Sequence, residues 1–116
     1  MLYTNRRVYR RDENVRMIFS KTNVQATPMT LEYRTGQQFD ILITRAGEEV
    51  WRWSHGKVFV LVVTQTTLAP GESQVFRELW TQVDNQGQPV PTGRYVVTAW
   101  NTSTNVEVTV DIEITE

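Results

Sequence analysis

The chain has 116 residues and one histidine, His55, which directly follows Ser54. A histidine base needs a nucleophile and an orienting partner within hydrogen-bond reach. Consecutive strand residues point to opposite faces, so Ser54 and His55 do not make a nucleophile–base pair. His55 reads instead as a surface residue at the turn before Gly56. Carboxylates pair at Glu48 with Glu49 and at Asp111 with Glu113. Paired-acid hydrolysis needs both groups in a cleft and one of them desolvated. Asp111 and Glu113 alternate with apolar residues and should face water. Asp84, Asn85, Gln86 and Gly87 form a loop tip with too few oxygens for calcium, and neither a phosphate-binding loop nor a zinc spacing occurs. There is no cysteine, which excludes disulfides, thiolate metal sites and a cysteine nucleophile. The sequence predicts no catalytic residue, no metal and no cofactor.

Trp51 and Trp53, two residues apart on one strand face, are the other conspicuous pair. Packing against Trp80 or Tyr95 in the core is the plain expectation. An aromatic strip on an exposed face would instead stack sugars, with Arg52 and His55 supplying polar contacts. A third reading is a protein-contact patch, since tryptophan and arginine are over-represented among interface hot spots.

The elements that hold these residues read as short strands. Val106, Val108, Val110, Ile112 and Ile114 alternate with Glu107, Thr109, Asp111 and Glu113, the pattern of a half-buried strand. Phe39, Ile41 and Ile43 repeat it, as do Tyr95, Val97 and Ala99. Residues 58–63 are apolar on both faces, which predicts a central strand covered on both sides. Ala46 with Gly47 predicts a hairpin turn, and Pro70 with Gly71 a type II turn. Residues 74–82 fit a short helix or an extended segment equally well. Roughly eight strands are expected, over 3–9, 14–22, 28–34, 38–45, 48–54, 57–66, 93–101 and 105–115. Turns every 8–12 residues predict an all-β fold, an antiparallel Ig-like β-sandwich.

Residues 1–116 are of single-domain size. The formal net charge of −1 provides no field for nucleic acid or an anionic membrane. Arg6, Arg7, Arg10 and Arg11 cluster in residues 1–12, a basic N-terminal strand or arm, while Glu107, Asp111, Glu113 and Glu116 lie at the other end. The expected arrangement is two solvated faces with complementary charge. The missing cysteines, the lack of an apolar run behind the first charges, and the lack of a stretch of ~20 apolar residues lean towards a cytoplasmic protein, or a domain cut from an exported one.

Residues 33–54 read YRTGQQFDILITRAGEEVWRWS, and Leu68, Pro70, Gly71 and Glu72 follow, then Gly93 and Tyr95. This ordered set resembles the BsuPI family of bacterial intracellular proteinase inhibitors. The matching positions are Asn23, Gly36, Gln37, Phe39, Trp51, Trp53, Pro70, Gly71, Trp80, Gly93 and Tyr95, and most read as structural. Gln25, Leu61 and the basic front end depart from the family pattern. The resemblance implies an Ig-like sandwich whose partner is a subtilisin-type serine protease, bound and not cleaved. The candidate contact segments are Ser54, His55, Gly56 and Lys57, and the polar connection Asp84, Asn85, Gln86, Gly87, Gln88, Pro89 and Val90. Either would enter the cleft as a stiff loop, or a strand edge would block the enzyme away from its catalytic centre. The alternatives are an accessory or adhesion Ig-like module of a larger bacterial protein, and a carbohydrate-binding module.

Overall fold

Period-two alternation carries over into strands along most of the chain. The computed structural model describes residues 1–116, in the order β1 (Leu2–Thr4), β2 (Val8–Arg10), β3 (Val15–Thr22), β4 (Met29–Tyr33), β5 (Phe39–Arg45), β6 (Glu48–Arg52), β7 (Thr64–Leu68), β8 (Ser73–Trp80), β9 (Gly93–Asn101) and β10 (Glu107–Thr115). One sheet runs β1-β3-β8 and the other β2-β10-β9-β5-β6, while β4 and β7 form a separate two-stranded ladder. Every named pair is antiparallel except β2 with β10, which is parallel.

The two larger sheets enclose one core, making a β-sandwich. Val15, Met17, Phe19 and Trp80 come from the first sheet; Ile41, Ile43, Tyr95, Val97, Ala99, Ile112 and Ile114 come from the second. Those of the second sheet are residues whose alternation marked them as inward-facing. Leu31, Tyr33 and Leu68 form a smaller cluster under the β4–β7 ladder. Asn23 ties that ladder down. Its buried amide nitrogen donates to the carbonyls of Thr27 and Leu68, both at 2.9 Å, and its side-chain oxygen accepts from the Gln25 amide at 2.9 Å.

Two expectations are corrected, and one open choice is decided. The chain has ten strands where about eight were expected, partly because residues 3–9 divide into β1 on one sheet and β2 on the other. At the break, the Asn5 side-chain oxygen accepts from the Arg16 amide at 3.0 Å and from the Tyr9 hydroxyl at 2.6 Å. Residues 74–82, which fit a helix or an extended segment equally well, are extended as far as Trp80: Phe76 and Trp80 lie opposite Phe19 and Val15 of β3 and turn with them towards the core.

The second correction is the larger. Residues 58–63 are not a covered central strand. They lie outside every sheet, and Val58, Val60, Leu61, Val62 and Val63 are all more than half exposed. The physical reason is topological. β6 is already the edge of its sheet, and the chain leaves it to reach β4 with β7, so no neighbouring strand flanks this stretch.

The basic front end is folded in. β2 runs beside β10 with Tyr9 opposite Ile114, Arg11 pairs with Glu116 at 3.2 Å, and the Gln82 amide nitrogen donates to the carbonyls of Arg10 and Glu13, both at 2.7 Å.

Candidate protein-binding site

The hairpin from β5 to β6 sets the geometry here. Its register shifts between Ile43 and Thr44, leaving Trp51 opposite Ile43 and Arg52 opposite Leu42. Trp51 therefore turns inward with Ile43, and Arg52 turns out. Trp51 packs on Trp80 with ring centroids 6.4 Å apart, and Trp53 packs on Phe39 at 4.2 Å. Arg52 leaves by the opposite face and lies 5.6 Å over the Trp100 ring. The tryptophans thus form no exposed strip with Arg52 beside it, which overturns the geometry that a sugar-stacking face requires.

Asp40 organises the polar side of the same hairpin. It is 4% exposed. One carboxylate oxygen accepts from the Ile41 amide at 2.9 Å and the Ser54 amide at 3.2 Å. The other accepts from the Ser54 hydroxyl at 2.6 Å and from Arg52 at 3.5 Å. Ser54 is therefore committed to Asp40, and His55, which is exposed, makes no hydrogen bond to it. Arg52 also binds Glu49 at 2.9 Å. This contact holds the Glu49 carboxyl below the usual carboxylate range and raises Arg52. Asn85 completes the cluster: its side-chain oxygen accepts from the Arg52 amide at 2.9 Å, and its side-chain nitrogen donates to Glu49 at 2.9 Å.

The cluster Asp40, Glu49, Arg52, Ser54 and Asn85 links the two predicted contact segments to one sheet edge. Both segments are closed turns. In residues 54–57 the His55 amide donates to the Arg52 carbonyl at 3.0 Å, and the Lys57 amide to the Ser54 carbonyl at 3.0 Å. In residues 84–90 the Asp84 amide donates to the Gln88 carbonyl at 2.8 Å, while the Asp84 carboxylate caps the amides of Gln86 and Gln88, each at 2.9 Å. The Asn85 amide donates to the Val50 carbonyl at 3.0 Å, so this hairpin seals part of the β6 edge.

Neither Asp40 nor Asn85 stood out as a structural anchor in the sequence. Asp40 sits in an alternating strand where an outward aspartate is unremarkable. Its burial comes from Arg52 and Ser54, which only the hairpin brings over it.

A family model described as intracellular proteinase inhibitor, BsuPI, matches residues 2–106. The chain belongs to the BsuPI family. No curated protein is significantly similar to it. Among solved structures, this BsuPI domain is similar to part of a β-glucosidase of Erythrobacter marinus, with a TM-score of 0.59 and 15% identity over 98% of the domain and 15% of that chain. It is similar to part of the alkylpurine DNA glycosylase AlkC of Pseudomonas fluorescens, with a TM-score of 0.59 and 16% identity over 100% of the domain and 29% of that chain. A β-glucosidase of Listeria innocua aligns with a TM-score of 0.55 and 13% identity over 100% of the domain and 16% of that chain. At these identities the likeness is one of fold, and the BsuPI domain spans less than a third of each of these larger chains.

Proposed function

We propose that this domain is a non-catalytic binding protein that inhibits a subtilisin-type serine protease. The observation that carries this reading is the match of the inhibitor family over residues 2–106. Its contact surface is the end of the sandwich where the turn of residues 54–57 and the hairpin of residues 84–90 flank β6. Those turns are stiffened by the Asp40 and Asp84 carboxylates, which lowers the ordering cost of binding. Action in the reducing cytoplasm fits the family's description and the absence of cysteine.

The test is a titration of a purified subtilisin-type protease with the domain, following a small chromogenic substrate and casein. Loss of both activities near a stoichiometric ratio supports occupation of the substrate cleft. Loss of casein hydrolysis alone supports blocking away from the catalytic centre. No effect on either, with the domain intact, removes the proposed target class.

A further inference from the structure

Residues 58–63 carry an unusual combination. Val58 is 97% exposed and Leu61 87%, and the segment has no charged residue. None of its six amides donates a hydrogen bond, and the only backbone bond is the Val60 carbonyl accepting from the Gly36 amide at 2.9 Å. An unpaired apolar backbone of this kind is a template for strand addition. Exposed apolar patches on soluble domains mark interaction surfaces.

The segment is nevertheless held in place. Phe59 packs on Trp53 at 5.9 Å, Trp53 on Phe39 at 4.2 Å, and Phe39 on Phe76 at 4.3 Å, a continuous aromatic path into the sandwich. Lys57 lies 4.9 Å over the Trp53 ring at the start. Downstream, Thr64 begins β7 and pairs with Tyr33. Between them Val60 leans on Gly36: a β-carbon placed there would lie 3.1 Å from the Val60 Cγ2. Leu61, the next residue, extends into solvent and is the free apolar side chain at the middle of the segment.

We propose that residues 58–63 are the segment this domain lays into the substrate cleft of its protease, as an added strand led by Leu61. This rests on the inhibitor reading above and goes beyond it by assigning the inserted segment. The turn of residues 54–57 and the hairpin of residues 84–90 spend backbone groups on the domain itself, whereas residues 58–63 keep all but the Val60 carbonyl free. A protease cleft that takes peptides in extended form offers what this segment lacks: backbone partners and apolar subsites. The two fixed ends reduce the entropy lost on docking.

The experiment compares the parent chain, Leu61→Asp and Val24→Asp in the same titration, with melting temperature and sedimentation measured for each. Val24 is 88% exposed in a different loop and controls for the acidic change. The expected result is inhibition by the parent and by Val24→Asp, with Leu61→Asp weaker by ~30-fold or more, the scale of a central interface anchor. Leu61→Cys carrying a bulky maleimide provides a second variant, because the chain has no other cysteine; it should lose inhibition likewise. Full inhibition by both Leu61 variants overturns this inference and leaves the inhibitor reading standing. If those variants instead abolish a dimer of the parent while inhibition persists, the segment is a self-association surface and the inference falls. No inhibition by the parent overturns the inhibitor reading and this one together.

Discussion

The Gly36 amide donates to the Val60 carbonyl at 2.9 Å, and this one bond fixes an otherwise unpaired apolar stretch to the connection between β4 and β5. The interior of a sheet would supply such a stretch with bonds on both sides. Here the segment is shaped by its neighbours without being covered by them, which leaves backbone and side chains open to a partner. A larger residue at Gly36 would crowd the Val60 side chain, which would have to shift to make room.

The first prediction concerns amide exchange. In the free domain the amides of residues 58–63 should exchange at rates close to those of an unstructured peptide, while those of β9, paired on both sides, exchange slowly. Saturation with an inhibited protease should slow the amides of residues 58–63. Slow exchange there in the free monomer would contradict the unpaired backbone.

Replacing Asp40 by alanine should destabilise the domain by about 2–3 kcal/mol, because it strips acceptors from buried or half-buried amides and leaves Arg52 with one carboxylate partner. Denaturant unfolding measures the loss. Ser54→Ala removes only the 2.6 Å hydroxyl bond and should cost ~1 kcal/mol. Equal costs for the two substitutions would contradict the role of Asp40 as the organising group.

Strands were legible wherever one face is buried and the other wet. Tyr95, Val97 and Ala99, and Val110, Ile112 and Ile114, are inward where alternation put them. The alternation of Phe76 with its neighbours was harder to read, because the polar Gln74 and Glu78 share its less exposed face. Residues 58–63 misled for a physical reason: an apolar run signals a need for cover without saying whether the same chain provides it. The polar anchors were hidden in another way. Asn101 donates to the Tyr33 hydroxyl at 2.9 Å and to the Gln74 side-chain oxygen at 3.0 Å, joining β9, β4 and β8. No local pattern links residues so far apart in sequence.

The β5–β6 turn holds avoidable strain. Ala46 has φ of 52° and Gly47 φ of 81°, so both central residues are left-handed, and alanine is disfavoured there. Ala46→Asn should stabilise the domain by ~0.5–1 kcal/mol, seen as a rise of a few degrees in melting temperature. An unchanged or lower value would show that the turn relaxes in solution.

Alkaline pH should weaken the fold through two tyrosines. Burial, the larger influence in each case, raises the hydroxyls of Tyr9 and Tyr95 above the ordinary tyrosine value. The Tyr9 hydroxyl donates to Asn5 at 2.6 Å, and that of Tyr95 to the Pro91 carbonyl at 2.5 Å, so each acts as a donor only while protonated. With the folded value above the unfolded one, the folded state holds these protons more tightly. Their contribution is complete below pH ~10 and is lost as pH rises through the folded value. Ultraviolet titration should show Tyr9 and Tyr95 ionising later than a free tyrosine, with unfolding free energy falling over the same range. Tyr95→Phe should lower stability near neutral pH through the lost Pro91 bond and flatten the alkaline decline. A decline as steep as the parent's in both Tyr9→Phe and Tyr95→Phe would assign it to other groups.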